Sequence, residues 1–267
     1  MLKNLLNFRN RTATGLSGRS VEVGWLLQTD KAGFIWDAPR QFRRQDATAT
    51  TAKTVQRCPA VLDYEARFFE ITCPIDAQIR FRFGPKGQPE LINAVGEQSA
   101  IRAGHLRQMI HVVGRNEWRH PDRPVIQIIT PYTFICDEPV WLNQMPPLLH
   151  FRNPPLPGVL IGGRMPAHLW PRQLMWAFEW HDIKQDLVLK RGEPWFYVRF
   201  ETADASRPVK LVEAEHTPEL QAYMAGMAGV TNYVKRTYSL FKTARERRPA
   251  KLLKKKASRR YSAAIEA

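Results

Sequence analysis

The chain has 267 residues, of which 44% are hydrophobic and 10% aromatic, so it is not a disordered polypeptide, and only 15 are glycine, so it is not a fibrous one. Lys and Arg number 40 against 25 Asp and Glu, a net charge of +15, but ten of those cations and a single acid lie between Lys242 and Arg260, which leaves the body with about +6. No run approaches the roughly 18 to 20 apolar residues of a membrane-spanning helix; three cysteines without a Cys-x-x-Cys pair argue against a disulfide framework and a thiolate zinc site, and for a reducing, cytoplasmic setting.

In chain order, residues 1–19 mix Leu2, Leu5, Leu6 and Phe8 with Lys3, Asn4 and Asn7, too interrupted for a secretory signal, and predict a short amphipathic helix. A Thr-, Gly- and Ser-rich loop precedes a first strand at Val21 to Leu27, and Asp46 to Thr54 is a polar connection. Ala77, Ile79, Phe81 and Phe83 alternate with polar residues as a half-buried strand does, and Phe68 to Cys73 is its expected hairpin partner or neighbour. Apolar runs at 106–113, 125–129, 132–135, 140–142, 148–151 and 159–161 read as short strands, and eight prolines from Pro131 to Pro166 exclude helix there. Leu174, Trp176, Phe178 and Trp180 alternate with Met175, Ala177, Glu179 and His181. Together with 187–189 and 195–200, around the Lys190-Arg191-Gly192-Glu193-Pro194 turn, they predict three consecutive antiparallel strands with one aromatic face. The domain over 20–215 is therefore mainly β, an antiparallel β-sandwich or jelly-roll-like fold.

Thr217-Pro218-Glu219 supplies a cap, a proline and an acid for a helix over 216–244. Its stripe, which includes Tyr223, Met227 and Val234, predicts packing or a homo-oligomer through 217–241. Residues 245–267 form a basic, flexible tail whose Arg247, Arg248, Lys251, Lys254, Lys255, Lys256, Arg259 and Arg260 are candidates to contact nucleic acid or another polyanion. Trp170 and Trp195, interleaved with Arg172 and Arg199, are candidates for ligand binding by stacking and charge, while Trp176 is expected in the core.

The order His120-Pro121-Asp122, then His181, then Arg191 resembles the iron(II) and 2-oxoglutarate-dependent oxygenases. That resemblance implies Fe(II) held by His120, Asp122 and His181, with Arg191 binding the cosubstrate carboxylate. Separately, Thr130-Pro131 opening a strand, the proline-rich loop, Met175-Trp176 on an aromatic strand and the 190–194 turn make residues 125–215 similar to an uncharacterised family of bacterial and phage-associated β-rich domains. This likeness implies a β-rich fold and nothing about catalysis; together with the proline-rich, short-strand build it suggests a phage-related structural component. No Gly-rich phosphate loop and no G-x-S-x-G elbow is present in the sequence. The leading expectation is a non-catalytic binding or assembly module, with an aromatic-rich face for a ligand and the tail for polyanions. The oxygenase and the phage-related component stand as its alternatives.

Overall fold

Runs of alternating apolar residues, broken by prolines and turns, make many short strands. The computed structural model describes residues 19–28, 34–43, 55–99, 101–230 and 237–257, and in it those strands assemble into three sheets. The first sheet contains β1 (Val21–Leu27), β6 (Ile110–Val112), β7 (Val125–Ile135), β9 (Gly158–Leu160), β11 (Gln173–Trp180) and β14 (Val209–Glu213). Its order is β14-β1-β7-β11-β9, with β6 beside the first half of β7. The second contains β2 (Arg40–Gln41), β3 (Phe68–Thr72), β8 (Val140–Met145), β10 (Gly163–Pro166) and β13 (Pro194–Thr202), in the order β10-β8-β13-β3-β2. The third is β12 (Leu187–Leu189), β4 (Ala77–Phe83) and β5 (Pro89–Asn93). Among the described residues there are also four α-helices: α1 (Pro59–Glu65), α2 (Ala103–Met109), α3 (Pro218–Val230) and α4 (Thr237–Arg247). The fold is mainly β and sandwich-like, with antiparallel pairing throughout except for β1 and β14, which run parallel.

Several strand pairings differ from those expected. The three aromatic strands are not neighbours: β11, β12 and β13 lie in three different sheets. Their aromatic residues converge because each sheet turns its apolar face to the same core. The turn between β12 and β13 allows this, with Gly192 at φ 81°, a left-handed conformation that glycine adopts without a Cβ clash. Nor do β3 and β4 form a hairpin; β3 pairs with β13 and β2, and residues 73–76 carry the chain from the second sheet to the third. The run 106–113 divides into α2 and β6, and 148–151 lies outside any strand. The runs 125–129 and 132–135 are one strand through Pro131. Pro131 has no N–H for the ladder, and the pairing with β11 slips there, from Ile129–Met175 to Thr133–Gln173, while the Pro131 carbonyl accepts the Gln28 N–H at 2.8 Å.

One core fills the space between the sheets. Phe134 of β7 meets Phe200 of β13 at 5.4 Å between ring centroids, Trp176 of β11 meets Trp195 of β13 at 5.3 Å, and Phe81 of β4 meets Trp180 at 6.1 Å. Trp176 is buried as expected, but so is Trp195, only 3% exposed and also stacked against Trp36. The indole N–H groups of Trp176 and Trp195 have no acceptor. Leaving one unpaired costs about 1–3 kcal/mol, whereas burying roughly 200 Å² of ring at about 25 cal/mol per Å² gives about 5 kcal/mol, so ring burial decides the position.

A second core lies on the opposite face of the first sheet. Leu26 and Ile135, whose chain neighbours point the other way, meet Leu220, Tyr223 and Met227 of α3, Leu240 and Ala244 of α4, and Leu252 and Leu253. The expected single helix is thus two, α3 and α4, and its stripe is buried within the chain; Val234 lies outside the described residues. Residues 248–257, after α4, are also packed, which corrects the flexible tail expected there. Leu253 approaches β1 so closely that a Cβ on Gly24 would lie 2.3 Å from its Cδ1, and Ala214 bridges to Lys255. Lys254, Lys255 and Lys256 pair with Glu215, Glu22 and Glu213. Residues 1–18, with their expected helix, the connection at 46–54, and Arg259 and Arg260 lie outside the described residues. Among the described residues no helix is long and apolar enough to cross a membrane.

This packing makes a measurable contrast. Leu253→Ala, which empties part of the second core, should cost about 2–5 kcal/mol in urea unfolding, while Lys255→Ala, at an exposed ion pair, should cost less than about 1 kcal/mol. Two near-zero effects would mean that the segment is not docked.

Candidate functional site

The helix α3 rests on the first sheet along one line of residues and stands away from it along another. Leu220, Tyr223 and Met227 are buried, and the Tyr223 hydroxyl fixes their depth by donating to the Leu169 carbonyl at 2.7 Å and the Ala244 carbonyl at 3.0 Å. The adjacent line, Gln221, Met224, Ala225 and Ala228, faces an open cleft of about 810 Å³. Its floor is Ile129 and Met175, directly opposite one another on β7 and β11, and its end is formed by Trp170, Arg172, Gln173, Gln28 and His216. Ile129 is 47% exposed although it sits mid-strand, because no described residue covers that stretch of the sheet. A smaller recess of about 470 Å³ adjoins and shares Leu27 and His216 with it.

Two of the four residues expected to bind a ligand meet in this cleft. The Arg172 guanidinium lies 4.7 Å from the centre of the Trp170 ring, which is itself braced edge-on by Phe241 of α4 at 5.8 Å. The segment between β10 and β11 presents the pair, since Pro171 precedes the strand and its backbone cannot join the ladder. Burial is the cause that lowers the Arg172 pKa, and the guanidinium nonetheless remains charged. Its one hydrogen bond is a long contact from Nε to the neighbouring Gln173 carbonyl, 3.4 Å, and no Asp or Glu lines the cleft among the described residues. The amides beside it are engaged: Gln28 Nε2 donates to Met224 Sδ at 3.6 Å, and Gln173 Nε2 to the Gln28 carbonyl at 3.2 Å.

The other two expected residues are elsewhere. Trp195 is in the core, as described. Arg199, on β13, is on the outer face of the second sheet, directly opposite Asn143 and stacked over Tyr64 at 5.8 Å, and its Nε has no acceptor. Alternation along β13 is the reason, because Phe196, Val198 and Phe200 take the inner face and send Tyr197 and Arg199 to the outer one.

The expected metal ligands do not assemble. His120 and Asp122 lie on an exposed turn, where the Asp122 N–H donates to His120 Nδ1 at 3.3 Å, and the Asp122 carboxylate stays 4.0 Å from that nitrogen with its side chain 84% exposed. His181 is turned instead to Glu179, Nε2 to Oε1 at 3.2 Å. Glu179 is the acid on which this end of the sheet converges: it also accepts from Arg119 and lies 3.6 Å from Arg123. Burial pushes its carboxyl up, but the Arg119 hydrogen bond and the charges of Arg119 and His181 outweigh this and hold it below the usual carboxylate range. Two residues apart on β11, Glu179 and His181 form a structural pair. Among the described residues, no three His, Cys, Asp or Glu side chains are placed to hold a metal ion. Arg191 is exposed on the β12–β13 turn, where its backbone N–H donates to Asp76 Oδ1 at 3.0 Å. Cys73 and Cys136 are buried thiols pushed up by desolvation, to about 12 and about 11, and so are poor nucleophiles.

Of the expected polyanion contacts, Arg248 is turned inward. Its guanidinium donates to Asp137 and to the Cys136 and His168 carbonyls, and its side chain is 11% exposed. Lys254, Lys255 and Lys256 are exposed but matched by glutamates, which leaves Arg247 and Lys251 as exposed cations with no ion pair among the described residues.

Comparison with protein-family models, with curated proteins and with solved structures found no match for this chain.

The Glu179 hub and the 120–122 turn should respond differently to mutation. Glu179→Gln leaves two guanidiniums facing a neutral amide and should lower the unfolding free energy by about 1–3 kcal/mol; Asp122→Asn, at an exposed site, should change it by about 0.5 kcal/mol or less. Equal effects would contradict the assignment of Glu179 as the organising acid.

Proposed function

We propose that the protein is a non-catalytic binding module whose ligand lies in the cleft between α3 and the first sheet. The observation that carries this reading is the open apolar floor of Ile129 and Met175, with Trp170 and Arg172 brought together at its end. Its size is in the range of small-molecule sites, which bury an apolar body and fix it with a few polar groups. The aromatic-rich face foreseen in the strands is the core itself, so the binding surface is the cleft and not that face. Attachment to a polyanion is a subsidiary role of the exposed cations on and after α4, with Arg247 and Lys251 its first candidates because no glutamate matches them.

The oxygenase alternative has little support, since His181 is committed to Glu179 and Asp122 points to solvent. A structural role in a larger phage-related assembly would be served by an apolar face left open for a partner; the stripe of α3 that suggested one is covered by α4 and by Leu252 and Leu253.

A neutral fluorescent apolar probe, 1-aminoanthracene, tests the reading. Its emission should rise on binding to the wild type, and Ala225→Trp, which places an indole in the cleft from an exposed position on α3, should reduce that rise at least fivefold with an unchanged far-ultraviolet circular dichroism spectrum. Binding that Ala225→Trp leaves intact would place the probe elsewhere and remove the support for the cleft.

A further inference from the structure

We infer that the ligand of this cleft is an amphipathic monocarboxylate, its carboxylate on Arg172 and its apolar body over Ile129, Met175 and Met224. The inference rests on the cleft being the binding site and adds the chemistry of what it takes.

The argument is one of unmatched charge. Many of the described arginines turn to carboxylates, among them Arg40 to Glu70, Arg80 to Asp186, Arg164 to Glu201 and Arg207 to Glu138. Arg172 is half-buried and has none. A guanidinium partly removed from water without a counter-charge is unfavourable unless something supplies an acceptor, and a carboxylate matches its fork of N–H groups with two oxygens. The Trp170 ring on one side limits the approach to the plane of that fork.

The rest of the lining sets the ligand's valence and its body. With no acid in the cleft and one permanent cation, a single negative charge is matched; a phosphate dianion would need a second cation, and the Gln28 and Gln173 amides, each with one N–H already committed within the chain, are neutral. His216 is the other titratable group of the lining. Beyond Arg172 the walls are Leu27, Ile129, Met175, Met224 and Ala225. Unbranched methionines on both sheet and helix can close around a flexible chain, which suits an aliphatic body better than a rigid one of fixed shape.

The experiment displaces 1-aminoanthracene with decanoate and, in parallel, with decan-1-ol, which has the same chain and no charge. Decanoate should displace the probe from the wild type at a concentration at least tenfold lower. In Arg172→Met that preference, read as the ratio of the two displacing concentrations measured on the same variant whatever its own affinity for the probe, should fall to about twofold or less. Arg172→Lys, which keeps the charge and loses the fork, should be intermediate. If the probe binds and decan-1-ol competes as well as decanoate, or if Arg172→Met keeps the preference, the ligand class is wrong and the cleft stands. If the probe does not bind at all, the cleft reading fails and this inference with it.

Discussion

Arg248 and Asp137 hold together the half of the molecule that makes the cleft. Asp137 follows β7 by two residues, and its carboxylate accepts both the Arg248 guanidinium at 2.9 Å and the Leu252 N–H at 2.8 Å. Arg248 in turn donates to carbonyls at Cys136 and His168, so one side chain ties the end of α4 to two separate loops of the β body. With that junction in place, Leu252 and Leu253 fall against Leu26 and Ile135, and α4 supplies Ala244 to receive the Tyr223 hydroxyl. The tilt of α3, and with it the gap over Ile129 and Met175, depends on this chain of contacts. A largely buried arginine whose donors are matched by carbonyls and a carboxylate is costly to disrupt, because removing either partner strands the other.

The charge of the chain looks different in this light. A stretch of ten cations reads as a solvated appendage because such blocks repel themselves. Here the repulsion is offset locally: Arg248 has Asp137, and three successive lysines meet glutamates on β1, on β14 and just beyond β14. Those glutamates are far away in sequence, so no local window of sequence joins them to the lysines. Leu252 and Leu253, two adjacent leucines inside the basic run, were the one local sign that this segment has a buried side.

Elsewhere the sequence was informative about faces and less so about partners. Alternation puts Trp176, Phe178 and Trp180 on one face and the 190–194 sequence marks the turn at Gly192, but it reads that face as a ligand surface with only Trp176 in the core, whereas all three are buried. Alternation does not say which strand lies alongside, and the three strands expected to be consecutive antiparallel neighbours lie in three sheets that share a core. Pro131 reads in the sequence as a break between two short strands, whereas a bulge lets β7 run through it. Among the site residues, Trp170 and Arg172 could be chosen from their spacing and charge, but Trp195 and Arg199 match the same description and differ only in where their strand places them. Ile129 and Met175 carried no signal at all, since an exposed isoleucine in a β-strand is visible only once its uncovered surroundings are known. The His-x-Asp and distant histidine also show how weak four residues are as a motif: Glu179, two positions from His181, is the acid that claims it.

The central claim, that the segment after α4 is part of the fold and holds the wall of a ligand cleft, is tested most directly by removing residues 248–267 and following thermal unfolding together with 1-aminoanthracene binding. The account predicts a melting temperature lower by about 8 °C or more, as expected for losing several kcal/mol in a protein of this size, and probe binding weakened at least tenfold at a temperature where the shortened chain is still folded. An unchanged melting temperature with unchanged probe binding would contradict it, and would return the basic segment to the role of an appendage.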